Sequence, residues 1–188
     1  AIGAPLPLYG HLPMILGADG EKLSKRHGAV SVMEYPAKGY LPEAMLNYLA
    51  RLGWSHGDDE IFSMEQFTEW FDLSNLTASP AQFNFEKLAW VNRHYLKTIP
   101  PERLVTEALP FLRQAGIVVG ELDAAARTWL EKVLPPTAAS VDRLNQLADR
   151  LRTVFEFSAA AIFADEALGR ELMAPGPRSV VMGLAEEL

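Results

Sequence analysis

From Pro42 onward, apolar residues recur at intervals of three and four, and proline or glycine repeatedly interrupts the pattern. A chain punctuated this way can bury its apolar stripes only by stacking short helices, so the fold is expected to be mainly α. Pro42 opens a helix carrying Met45, Tyr48, Leu49 and Leu52 on one face, with Gly53 as its stop. Ser63 and Gln66 form a capping box ahead of Phe67, Trp70 and Phe71. Ser79-Pro80 marks a break, and Asn84 caps a helix that turns Phe85, Leu88, Val91 and Tyr95 or Leu96 inward. Pro100-Pro101 divides this region from the next. There Leu104, Val105, Ala108, Leu109 and Leu112 follow helical spacing to Gly116, and Pro110 should kink the helix. A helix around Trp129, Leu130, Val133 and Leu134 should stop at Pro135-Pro136, and Ser140 should cap the next, with Val141, Leu144, Leu147, Leu151 and Phe155 apolar. The stretches 159–173 and 179–188 also read as helices, and the pattern is cut off at Leu188.

The 188 residues include no cysteine, which excludes a disulfide scaffold, a thiol nucleophile and thiolate zinc sites. The net charge of −7 argues against binding nucleic acid by bulk electrostatics, and leaves room for a local basic strip on an acidic body. No apolar run reaches the length of a membrane span.

The stretch 6–16 reads as a short extended segment running into the turn Gly17-Ala18-Asp19-Gly20, whose two glycines imply a mobile loop. Lys22-Leu23-Ser24-Lys25-Arg26 follows at once. Three cations and a hydroxyl beside flexible glycines suit a polyphosphate, because ammonium groups on long stems can follow the charge of a departing pyrophosphate. The same residues would also make an ordinary solvated basic turn. His56 with Asp58-Asp59-Glu60 reads as a hydrophilic loop, since no second histidine lies at ligand spacing. Trp54, Phe67, Trp70 and Phe71 read as core. Lys87, Trp90 and Arg93 share one edge of a helix: either a strip for RNA phosphate and sugar, or a core tryptophan flanked by solvated bases. His27 and His94 are minor candidates for phosphate or RNA contact.

Asp19-Gly20-Glu21-Lys22-Leu23-Ser24-Lys25-Arg26-His27-Gly28 resembles the second signature loop, the "KMSKS" loop, of class I aminoacyl-tRNA synthetases. Gly39-Tyr40-Leu41-Pro42-Glu43-Ala44, Asn47-Tyr48-Leu49 and Leu52-Gly53-Trp54-Ser55 resemble the glutamyl branch of that family. So do Phe83-Asn84-Phe85-Glu86-Lys87-Leu88, Trp90 and Asn92-Arg93-His94-Tyr95. The resemblance is dense over residues 7–97 and thinner beyond. Leucine replaces the signature methionine and arginine its last serine, as is usual in this branch; Asn84 stands where the family commonly has aspartate. The first class I signature is absent, so the resemblance puts most of the nucleotide-binding fold and the glutamate pocket upstream of Ala1.

The resemblance implies three parts. Residues 1–30 would end the catalytic domain, 31–100 would form a helical stem-contact domain, and 101–188 would begin a helical anticodon-binding region, truncated at its end. It implies an enzyme that activates glutamate with ATP and transfers it to tRNA(Glu). Lys25 would stabilise the departing phosphates with support from Lys22; Ser24 would shape the loop, making Lys22, Ser24 and Lys25 the ATP contacts. Lys87, Trp90 and Arg93 would contact tRNA. Mg2+ would accompany ATP in the complete enzyme, with no cofactor or metal site in this segment. A monomeric cytoplasmic enzyme, inactive when reduced to this segment, is the expectation. A glutaminyl relative, a short glutamyl-transferring paralogue and a non-catalytic helical RNA-binding module are the alternatives.

Overall fold

The computed structural model describes residues 11–28 and 31–155, together with Gly3, Pro5 and Tyr9. Residues Ala1–Arg150 make one compact unit and Leu151–Leu188 a second, of which only the first five residues are described. The stretches 159–173 and 179–188, expected as helices, lie outside the described residues.

The architecture is mainly helical with one minimal sheet. In order come β1 (Ile15–Leu16), α1 (Pro42–Arg51), α2 (Met64–Trp70), β2 (Ala81–Gln82), α3 (Phe85–Thr98), α4 (Pro101–Gln114), α5 (Ala124–Ala138) and α6 (Leu147–Phe155). Single 3-10 turns at Lys25–His27, Val32–Glu34, Pro36–Lys38, Leu73–Asn75 and Leu144–Gln146 fill several of the connections. Among the described residues of the expected extended stretch 6–16, Ile15 and Leu16 form a strand, Ile15 pairing in parallel with Ala81 and Leu16 with Gln82. No helix among the described residues is long and apolar enough to cross a membrane.

Local chemistry sets most helix ends. Ser63 and Gln66 close their capping box on α2. The Asn84 side chain accepts from the Lys87 N–H at 2.9 Å. The core joins Ala44, Met45 and Tyr48 of α1, Leu88, Val91 and Leu96 of α3, Leu104, Val105, Ala108 and Leu112 of α4, and Leu130 and Leu134 of α5. α3 packs against both α1 and α5, and α4 against α5, so α3 lies between two helical layers. Across the Pro100-Pro101 break, Arg103 reaches back from α4 to Glu43 of α1 at 2.9 Å.

Three expectations need correction. α5 does not stop at Pro135-Pro136 but continues to Ala138. Leu134 and Ala138 are both fully buried, so packing on each side of the proline pair outweighs the backbone hydrogen bonds it forfeits. Ser140 does not cap the next helix; its Oγ donates to the Thr137 carbonyl at 2.8 Å and closes α5 instead. Phe71 and Phe85 are 45% and 38% exposed rather than buried, while Trp54 is enclosed at 2%. α4 runs through Pro110 to Gln114.

Two buried asparagines hold these layers together. Asn92, fully enclosed in α3, accepts from the Leu41 N–H at 2.8 Å and donates to the carbonyls of Gly39 (3.3 Å) and Asp142 (2.6 Å). Gly39 has φ 86°, and a Cβ there would sit 2.7–2.8 Å from the amide nitrogens of Asn145 and Leu144, so only glycine fits. Asn47 of α1 donates to the Glu60 carbonyl at 2.8 Å and accepts from the Phe62 N–H and the Tyr95 hydroxyl. Replacing Asn92 by Ala removes the side-chain partner of the buried Leu41 N–H and one hydrogen bond from each of the Gly39 and Asp142 carbonyls, of which Gly39 keeps the Leu144 N–H at 3.0 Å. Denaturant unfolding of Asn92→Ala should show a loss of about 3 kcal/mol, with the steepness of the transition unchanged.

Candidate functional site

The basic loop folds as a closed hairpin. Leu16 and Lys22 form an antiparallel bridge, and the Leu23 N–H donates to the Ile15 carbonyl at 2.9 Å. The Gly17 N–H donates to the Glu21 carbonyl at 2.8 Å across the turn. From β2, the Gln82 amide donates to the carbonyls of Gly17 (3.1 Å) and Ala18 (2.9 Å), tying the turn to the approach of α3. Lys25 begins a 3-10 turn that ends at Gly28, where φ is 74°.

Lys22, Lys25 and Arg26 are exposed, and none of them has an ion-pair partner among the described residues. Ser24 is half-buried, with its N–H donating to His27 Nδ1 at 3.1 Å. The other ring nitrogen of His27 meets Asp19 Oδ2 at 2.8 Å, while Asp19 Oδ1 accepts from the Glu21 N–H at 3.0 Å. The His27 hydrogen bond, helped by the Glu21 amide, holds the Asp19 carboxyl below its ordinary value. Both ring nitrogens thus engage the loop's own framework.

The second candidate edge is arranged differently. Lys87 lies over the Trp90 ring at 4.9 Å from its centroid and pairs with Glu60. Arg93 pairs with Asp142. Trp90 is 43% exposed, so it is not the enclosed core residue of the alternative reading. The three side chains do share an edge, yet carboxylates from other parts of the chain already engage both cations. Exposed His94 and Lys97 extend the same face of α3. His56 stacks on Trp70 at 4.3 Å and contacts Asp59 at 3.1 Å, within the loop expected there.

Sequence reasoning missed the bracing by His27 and Gln82 and the structural work of Asn47 and Asn92. The two asparagines do leave a signal, since each falls among the apolar positions of an amphipathic helix. No group of three or more His, Cys, Asp or Glu side chains among the described residues could hold a metal ion.

Residues 1–90 match the family "tRNA synthetases class I (E and Q), catalytic domain". The chain is 64% identical over 149 residues to a glutamate–tRNA ligase of Janthinobacterium, covering 79% of this chain and 31% of that protein. It is 47% identical along its whole length to the glutamate–tRNA ligase of Cupriavidus necator, covering 38% of that protein. The crystal structure of a glutamate tRNA ligase from Elizabethkingia meningosepticum, in complex with its amino acid, shares 27% identity at a TM-score of 0.71, over 98% of this chain and 39% of that one. With a K-x-S-K loop at the end of the matched stretch's strand and helices behind it, the chain belongs to the class I aminoacyl-tRNA synthetases. Within that class its sequence is that of the bacterial glutamate–tRNA ligases, and it spans a little over a third of the length of such relatives at most.

Because the Asp19 carboxyl is lowered in the folded loop, its contribution is complete above the usual carboxylate value of 3.8 and is lost as pH falls through the lowered value. An NMR titration of the Asp19 carboxyl should give a midpoint below 3.8, which moves back toward 3.8 in His27→Ala.

Proposed function

We propose that this chain supplies the phosphate loop and tRNA-facing helices of a glutamate–tRNA ligase. The observation that carries the reading is the hairpin itself, with Lys22 and Lys25 exposed and without an ion-pair partner among the described residues, on a backbone tethered to β1 and β2. In the complete enzyme the glutamate carboxylate attacks the α-phosphorus of ATP, and the bond to pyrophosphate breaks. Lys25 meets the charge that develops on the leaving phosphates, Lys22 supports it, and Ser24 shapes the turn between them. Glutamate then passes from the adenylate to the terminal ribose of tRNA(Glu). Mg2+ travels with ATP, and no residue described here is assigned to it.

Residues 1–30 close the catalytic domain in this reading, 31–100 form the stem-contact domain and 101–188 begin the anticodon-binding region. The enzyme acts as a monomer in the cytoplasm. The helical course of α4 and α5 and the glutamate ligases among its relatives support this reading over a glutaminyl one.

In the complete ligase, Lys25→Ala should slow adenylate formation by about a hundred- to a thousandfold while glutamate affinity holds, because the ammonium finds its strongest partner only as pyrophosphate departs. An unchanged single-turnover rate would remove Lys25 from the chemistry. The isolated chain, lacking a glutamate pocket, should show only background glutamate-dependent pyrophosphate exchange.

The α3 edge of Lys87, Trp90 and Arg93 is proposed to face tRNA. A cation already paired contributes less than a full phosphate contact, so Lys87→Ala and Arg93→Ala should each shallow the salt dependence of tRNA binding by less than about 0.9 units of slope. Glu60→Gln releases Lys87 and should tighten binding while steepening that slope. Unaltered tRNA affinity in all three variants would make the edge an ordinary solvated face.

A further inference from the structure

The His27 side chain keeps only 12% of its accessible surface, although it stands between exposed Arg26 and Gly28. Its ring lies flat against the backbone of Gly17: a Cβ on that glycine would fall 2.8 Å from the ring. A backbone N–H can only donate, so the 3.1 Å contact from Ser24 requires an unprotonated Nδ1. The proton of the neutral ring is then on Nε2, where it is donated to Asp19 Oδ2 at 2.8 Å. The ring therefore spans from Asp19 to Ser24 while resting on Gly17. Lys22 lies between the first two anchors in sequence, and Lys25 lies between Ser24 and His27 itself.

We propose that His27, held as the Nε2–H tautomer between Asp19 and the Ser24 amide, is a positioning residue that fixes the backbone from which Lys22 and Lys25 reach the phosphates. This rests on the phosphate-loop reading above. The physical logic is preorganisation: flexible ammonium stems act at full strength only if their anchor points do not have to be ordered during the reaction. Asp19 is exposed, so the hydrogen bond it accepts from the neutral ring contributes little to stability, and what the arrangement supplies is geometry. The two faces of the ring's function separate by substitution. Asn at position 27 can still accept from Ser24 but falls short of Asp19; Gln can reach toward Asp19 but offers no acceptor at the Nδ1 position.

The test is single-turnover adenylate formation in the complete ligase with tRNA bound. His27→Ala should slow it roughly tenfold, with glutamate KM, tRNA affinity and melting temperature unchanged. His27→Asn and His27→Gln should each recover part of the loss. On a Lys22→Ala/Lys25→Ala background, adding His27→Ala should change the remaining rate by less than about twofold, since a brace acting through the two ammonium groups has nothing left to position. Proton–nitrogen correlation spectra of the wild-type ring should show the Nε2–H form. A full rate in His27→Ala, losses that multiply with those of Lys22→Ala/Lys25→Ala, or an Nδ1–H ring would each overturn the proposal. An unchanged rate in Lys25→Ala alone would instead overturn the phosphate-loop reading and, with it, the purpose assigned to the brace.

Discussion

Three stretches of backbone converge on one amide side chain. Asn92 ties together the entry to α1, the turn at Gly39 and the connection that follows α5, all from the interior of α3. The Leu41 N–H and the Gly39 carbonyl are buried and Asp142 is half-buried, so losing all three contacts at once costs a sizeable fraction of a domain's net stability. Asn47 does similar work one helix away. Its partner Tyr95, whose hydroxyl burial pushes up to about 12, stays a donor at any physiological pH and shares its proton between Asn47 and the Phe62 carbonyl. The apolar core supplies the larger driving force, and it could be met by several helix arrangements. The asparagines select one of them.

Lysine appears in two roles on this surface. Lys87 is committed: Glu60 neutralises it and the indole of Trp90 lies beneath it. Among the described residues Lys22 and Lys25 have no such commitments: Asp19 is occupied by His27 and the Glu21 amide, and the Glu21 carboxylate forms no ion pair with either lysine. A ligand approaching Lys87 must compete with a carboxylate; one approaching the hairpin need not. The difference arises from which side chains surround each ammonium, not from the ammonium itself.

Short-range chemistry was legible in the sequence. The Ser63–Gln66 box and the Asn84 cap reach only three residues, so spacing alone determined them. Pro135-Pro136 misled because the stop rule counts lost hydrogen bonds, whereas the burial of Leu134 and Ala138 depends on α4 packing alongside. The β1–β2 pairing was invisible for a related reason: two residues carry no alternation to detect, and their partner lies far along the chain. In the candidate site, the identity of the loop was legible from its cations, glycines and resemblance to a signature. Its framework was not, since nothing in the string of letters reveals that the His27 ring turns back onto Gly17. The ion pairs of Lys87 and Arg93 were hidden likewise, because Glu60 and Asp142 come from segments before and well after α3.

The tether between Gln82 and Gly17 joins residues 65 positions apart. Closing a loop of that length costs about 4 kcal/mol in chain entropy, and each hydrogen bond made there returns only about 1 kcal/mol. The tether is therefore a late event in folding: α1 and α3 must dock before the strands can find each other. The hairpin's anchor thus exists only in a chain whose helices have already assembled, so a partly folded molecule would present the same lysines without the base that holds them.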